Sequence, residues 1–175
     1  EGFPKAHGIE GDIAQLVLID YDKTKRYRYM VESSRGKLYL FDKEVNMLNG
    51  WAPLDLKAVL LNSPFHARIS GKDFYPIAER SNKIHLINRR GEDYPGFPKD
   101  LDMRFSGDLY LDRQPSFGSS KVWVISDQGK LRSVNLLGKV ANQEQLVRPN
   151  NETSFRLLTD VLGSGFLIAR SDDKQ

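Results

Sequence analysis

The sequence predicts an all-β chain, a β-propeller fragment built of four-stranded antiparallel blades, with about three complete blades and partial blades at both ends. Three observations lead there. Gly2-Phe3-Pro4-Lys5 returns as Gly50-Trp51-Ala52-Pro53 and again as Gly96-Phe97-Pro98-Lys99, at intervals of about 47 residues, the length of one propeller blade. A second landmark keeps the same interval: Lys37-Leu38-Tyr39-Leu40-Phe41-Asp42, Lys83-Ile84-His85-Leu86-Ile87-Asn88 and Lys130-Leu131-Arg132-Ser133-Val134-Asn135. Directly before each of those lysines stands Gly36, Asn82 or Gly129, where a tight hairpin calls for a residue that tolerates positive φ. Sandwiches and barrels also alternate strands with turns, but they have no reason to repeat their turn and end motifs at a constant interval.

Each period reads as short runs of apolar, aromatic or β-branched residues between turn formers, the mark of strands. The first unit, residues 14–53, offers Leu16 to Ile19, Tyr27 to Val31, Leu38 to Phe41 and a short stretch around Trp51. The second, 64–99, offers His66 to Ile69, Phe74 to Ala78, Ile84 to Ile87 and the Phe97 segment. The third, 107–149, offers Leu109 to Leu111, Val122 to Ile125, Leu131 to Val134 and Gln145 to Val147. In the fourth, 154–175, Phe155 to Leu158 and Phe166 to Ala169 are followed by a turn at Ser171-Asp172-Asp173-Lys174, and the unit is incomplete. Residues 1–5 read as the last strand of a preceding blade. Leu54 to Leu61 holds good helix formers but lies between blades and reads as a loop or single turn. Hairpins are expected near Gly36, Asn82, Gly129 and Asp172. The expected core comprises Leu38, Leu40, Ile84, Leu86, Val122, Trp123, Val124, Leu131, Leu157 and Ile168, whose alternation sets one strand face against the next blade.

At 175 residues and 20.0 kDa the chain is one domain, which excludes a large multidomain enzyme. A net charge of +3 spread over 28% charged residues builds no field that would attract a phosphate backbone over distance, so nucleic acid is not an expected partner. No apolar run approaches the roughly 20 residues that cross a bilayer as a helix. With no cysteine, disulfides, thiolate metal sites and cysteine nucleophiles are excluded from this segment.

The chemistry-bearing residues read mainly as scaffold. His7, His66 and His85 are the only histidines, none at metal-ligand spacing from another ligand. His85 falls on an alternating strand position shared with Tyr39 and Arg132. His66, beside Arg68 on an inner strand, is the better functional candidate, and with Asp112 these two form the expected ring-face binding residues. Asp20, Asp22, Asp112 and Asp160 end or follow the first strand of their units, where an Asp hydrogen-bonds the backbone of the following turn. Asp20-Tyr21-Asp22 opens like a calcium loop, but Lys23, Lys25 and Arg26 replace the further oxygen ligands. Ser119-Ser120-Lys121 and Gly163-Ser164-Gly165 lack the strand-to-helix elbow of a nucleophile and read as hairpin loops. Acidic neighbours offset the basic stretches Lys23 to Arg26 and Arg89-Arg90. No catalytic, cofactor or metal residues are assigned.

The string Leu18-Ile19-Asp20-Tyr21-Asp22, Arg26-Tyr27-Arg28-Tyr29, Gly36-Lys37-Leu38-Tyr39-Leu40-Phe41-Asp42-Lys43 and Gly50-Trp51 resembles the repeat of quinoprotein-like (PQQ-like) β-propellers. In particular it is similar to uncharacterised cell-envelope propeller proteins of Bacteroidetes-type bacteria. Relatives that bind the quinone cofactor repeat a tryptophan docking motif, whereas Trp51 and Trp123 stand alone on different strands, so no cofactor is expected. The resemblance implies a periplasmic or cell-envelope location and a non-enzymatic scaffold or protein-interaction module that binds through its loops or ring face. The alternative is an extracytoplasmic carbohydrate-binding or carbohydrate-active propeller whose site lies in blades outside this segment. The chain reads as part of a longer repeat protein whose exposed blade edges pair with further blades, a partner protein or another copy.

Overall fold

The computed structural model describes residues 8–51, 53–160 and 164–172. Among them every regular element is a strand. The first sheet holds β1 (Ile13–Ile19), β2 (Arg28–Ser33), β3 (Lys37–Phe41) and β4 (Leu54–Asp55). The second holds β5 (Ala67–Ile69), β6 (Lys72–Ala78), β7 (Lys83–Ile87) and β8 (Lys99–Asp100). The third holds β9 (Tyr110–Asp112), β10 (Lys121–Ile125), β11 (Lys130–Asn135) and β12 (Val140–Gln145). A hairpin, β13 (Thr153–Thr159) and β14 (Phe166–Asp172), forms the fourth. Within each sheet the strands pair antiparallel in chain order, which is the wiring of a propeller blade.

Apolar faces meet between successive sheets. Met30, Leu38 and Leu40 of the first sheet pack on Tyr75, Ile77 and Ile87 of the second, with Trp51 and Leu60 filling the seam. The opposite face of the second sheet, through Phe74, Ile84 and Leu86, packs on Val122, Val124 and Val134 of the third. Ile125 and Leu131 then meet Phe155 and Leu157 of the hairpin. Because the middle sheets are covered on both faces, β6 is buried continuously from Phe74 to Ala78 rather than alternately, as expected of a sheet flanked on both sides. Pro76 is accommodated in this inner strand because β5 pairs with β6 only as far as Phe74, leaving no ladder bond for the missing N–H.

The structure explains the landmarks. Asp42, Asn88 and Asn135, which end or directly follow the third strand, each take two backbone N–H bonds on one side-chain oxygen: from Glu44 and Asn46 (2.9 and 2.8 Å), Arg90 and Glu92 (2.7 and 3.2 Å), and Leu137 and Lys139 (3.1 and 2.9 Å). The Gly-Trp and Gly-Phe landmarks mark where one blade touches the turn of the next. A Cβ on Gly50 would lie 2.4 Å from the Arg90 carbonyl oxygen, and one on Gly91 2.6 Å from that of Gly50. Gly96 and Gly138 repeat the arrangement one junction later, at 2.7 Å from the Leu137 oxygen and 2.5 Å from the Gly96 oxygen.

Several expectations are corrected. The fourth strands of the first two sheets lie at Leu54–Asp55 and Lys99–Asp100, just past the Trp51 and Phe97 segments, because Trp51 leaves the sheet edge to fill the seam. The third sheet's outer strand is Val140–Gln145, exposed at every residue, and its polar composition hid it. Asn82 does not adopt positive φ as Gly36 and Gly129 do; its amide instead donates to both carboxylate oxygens of Asp100 at 2.9 Å. No turn begins at Ser171, since β14 continues through Asp172. Of the expected core, Trp123 and Ile168 are only half-buried, because the two-stranded fourth sheet covers less than a full blade; the others are buried. His85, on the strand position shared with Tyr39 and Arg132, is buried. The expected strand at residues 1–5 lies outside the described residues.

Candidate functional site

His66 and Arg68 converge on one carboxylate at the seam of the first two sheets. Asp73, opposite Arg68 in the β5–β6 ladder, receives His66 Nε2 at 2.8 Å on Oδ1 and Arg89 Nε at 3.1 Å on Oδ2, with Arg68 Nε 3.9 Å away. Arg68 also reaches Asp22 at 3.3 Å. Tyr21 stands edge-on to His66 at 4.7 Å and carries the Arg89 guanidinium over its ring at 4.0 Å. Its hydroxyl bonds that of Tyr75, which is itself edge-on to Trp51 at 5.6 Å. The Trp51 indole N–H donates to the Arg89 carbonyl at 2.8 Å.

Burial dominates the electrostatics here. It lowers the pKa of His66, and the Asp73 hydrogen bond only partly offsets it. It raises the pKa of Tyr21 and, strongly, of Tyr75, whose proton is further held by the neighbouring phenol. The cluster therefore presents a neutral imidazole and two protonated phenols packed between the first two sheets.

Asp112 lies apart, accepting from Gln114 Nε2 at 2.7 Å and paired in the ladder with Lys121. The structure thus joins His66 to Arg68 but not to Asp112. Of the remaining aspartates, Asp20 and Asp160 hold their turns, through the N–H groups of Thr24, Lys25 and Ser164, and Asp22 faces the Arg68 and Arg89 guanidiniums. His85 bridges Glu79 (3.0 Å) and Asp93 (2.9 Å); burial works to lower its pKa, but the two carboxylates prevail and the net shift is upward. Among the described residues no group of three His, Cys, Asp or Glu is placed to hold a metal ion.

Two clefts that the sequence does not announce lie where the blades' inner strands and linkers meet. One, of 610 Å³, is lined by Gln15 of β1, Asn62 and Phe65 of the linker into β5, Leu109 and Tyr110 at β9, Arg113 and Thr159 of β13. Gln15 Oε1 and Asn62 Oδ1 are buried there without a hydrogen-bond partner among the described residues. Its volume falls in the roughly 300–1,000 Å³ range of ligand sites. The second, of 540 Å³, shares Leu61 and Asp108 with the first and is walled by Arg80, Arg104 and Arg156. Sequence reasoning missed these residues because they come from separate blades and form no local motif. A single signal was available: Arg80 stands two residues before the hairpin landmark, where the other units have Ser34 and Asp127.

No protein-family model matches the chain, and no curated protein does. Among solved structures it is similar to BBS1N, determined in complex with ARL6DN. For the lead-soaked crystal the TM-score is 0.59 at 15% identity, covering 89% of this chain and 43% of that one. For the mercury-soaked crystal the values are 0.57, 14%, 95% and 53%. This chain therefore spans about half the length of the structures it matches. Sheet wiring, packing between sheets and this likeness define the class: a partial β-propeller of four-stranded antiparallel blades.

Proposed function

We propose that the chain is a non-enzymatic protein-interaction module, a propeller scaffold that holds a partner protein, rather than nucleic acid, against its loops or cleft face. The observation that carries this reading is the propeller fold shared with BBS1N, itself solved bound to ARL6DN. The packing of His66, Asp73, Tyr21 and Tyr75 against one another between the first two sheets supports it, since these polar side chains are committed to contacts within the chain. The sequence resemblance to PQQ-like envelope propellers extends the proposal to a place within a larger bacterial cell-envelope protein. The test is quantitative affinity capture on the immobilised protein from its own host, with soluble protein as competitor, alongside fractionation of that host's envelope. The expected result is a reproducible, competable, stoichiometric partner. Turnover of a glycoside or ester that is abolished by Arg113→Gln would overturn the reading.

A further inference from the structure

We infer that the cleft walled by Arg80, Arg104 and Arg156 docks an acidic peptide segment of the partner. This rests on the interaction-module reading and specifies the chemistry that would be recognised. The three guanidiniums come from separate parts of the chain, the turn between β6 and β7, the linker between β8 and β9, and β13. The chain's other arginines often find carboxylates: Arg68, Arg89 and Arg170 are all ion-paired. Among the described residues the side chains of Arg104 and Arg156 make neither a hydrogen bond nor an ion pair, while that of Arg80 donates a long bond to the Leu60 carbonyl at 3.4 Å and lies within electrostatic reach of the Glu32 carboxylate. Planar guanidiniums held this way match carboxylates, each able to accept two parallel N–H bonds.

The size of the cleft and its other residues select among anions. A volume of 540 Å³ is that of a drug-sized ligand, several times the room a single small anion fills. Two carboxylates also line the cleft. Asp108 is turned to β13, accepting from the Thr159 N–H at 2.9 Å and its hydroxyl at 3.1 Å, while Asp127 is exposed. They would repel the closely spaced charges of a polyphosphate backbone, yet admit carboxylates separated by neutral residues. Single-stranded nucleic acid would also need an exposed ring on which to stack, whereas Phe105, the aromatic residue of this cleft, is buried. The adjoining cleft supplies an independent argument for a peptide. Gln15 Oε1 and Asn62 Oδ1 are buried acceptors without donors, and the backbone N–H groups of a chain continuing past Leu61 and Asp108 would supply them.

Fluorescence anisotropy tests this with a labelled (Glu-Gly)5 peptide. The expected result is saturable binding that weakens as salt rises and falls by about tenfold or more in Arg104→Gln/Arg156→Gln. An Arg26→Gln/Arg35→Gln control should stay within about twofold, as for charges remote from a contact. These arginines are exposed, so the variants keep their fold, to be checked by circular dichroism. Undiminished binding by the cleft variant, equal binding of (Gln-Gly)5, or tighter binding of a ten-nucleotide uridine oligomer competing for the same cleft would each overturn the inference. If the partner captured from the host binds the cleft variant as well as the unaltered protein, the cleft assignment falls and the interaction module stands. If no partner is captured, the module reading falls whatever the peptide does.

Discussion

Replacing Gly50 or Gly91 by alanine should break the first blade junction, and the structure sets the size of the effect. Both residues lie at positive φ, 89° and 79°, where a Cβ costs roughly 1–2 kcal/mol. In addition, a Cβ on Gly50 would sit 2.4 Å from the Arg90 carbonyl oxygen, and one on Gly91 2.6 Å from that of Gly50. Both obstacles are backbone, so relief requires the blades to part, and overpacking of this kind costs about 1–3 kcal/mol. The expected loss is therefore about 3 kcal/mol for either variant, a large part of the roughly 5–15 kcal/mol that holds a domain folded. Gly71 supplies the control: its φ is 76°, but nothing lies within 4 Å of where its methyl group would stand, so Gly71→Ala should lose only the backbone share, about 1–2 kcal/mol. Urea unfolding followed by circular dichroism and by the fluorescence of buried Trp51 measures all three. Because both methyl groups press on one gap, Gly50→Ala/Gly91→Ala should cost less than the two single losses together. Gly50→Ala losing no more than Gly71→Ala, or a fully additive double variant, would refute the close-contact explanation of the Gly-Trp landmark.

Three further outcomes are expected. The folded-state pKa of His85 lies above the ordinary value near 6.5, so its contribution to stability is complete below that value and is lost as pH rises through the folded pKa. His66, shifted downward, has the opposite sign and costs stability as pH falls through about 6.5; comparing urea midpoints of His85→Gln and His66→Gln from pH 5 to 9 should show mirrored slopes, and parallel curves would contradict both assignments. Glu32 is buried with Oε2 lacking a partner, and burial raises its pKa despite the Leu60 N–H and Arg80, so Glu32→Gln should raise the melting temperature at pH 7.5, with the gain shrinking as pH falls towards the carboxyl's pKa; a lower melting temperature at both pH values would show that the charge is needed. Leu16 (55% exposed) and Leu18 (53%) on one terminal sheet and Leu167 (75%) on the other form apolar faces of the kind that neighbouring blades cover, so light scattering should show self-association that Leu16→Glu/Leu18→Glu abolishes; a monomer at millimolar concentration would refute this.

The scaffold was readable from the sequence because its physics recurs. The Asx turns at Asp42, Asn88 and Asn135 close the same loop three times, and the glycine contacts repeat at two junctions, so each requirement left a periodic trace. β12 left none, since an outermost strand with both faces in solvent needs no apolar alternation. Asn82 misled for a related reason: its side chain satisfies Asp100 rather than its own backbone, and residue type alone does not distinguish those uses. Contacts across blades were invisible for a different reason. Tyr21 and Tyr75 are 54 residues apart, and their meeting depends on how two sheets stack, which neither local pattern encodes. The arginine cleft combines both difficulties and inverts the usual value of a repeat. Positions that agree between units are fixed by needs every blade shares, as the landmarks are. Arg80 occupies a position held by Ser34 and Asp127 in the other units, so blade geometry does not require a cation there. In a chain built of repeats, the residues available for recognition are those on which the repeats disagree, provided that folding gathers them at one place, as it gathers Arg80, Arg104 and Arg156.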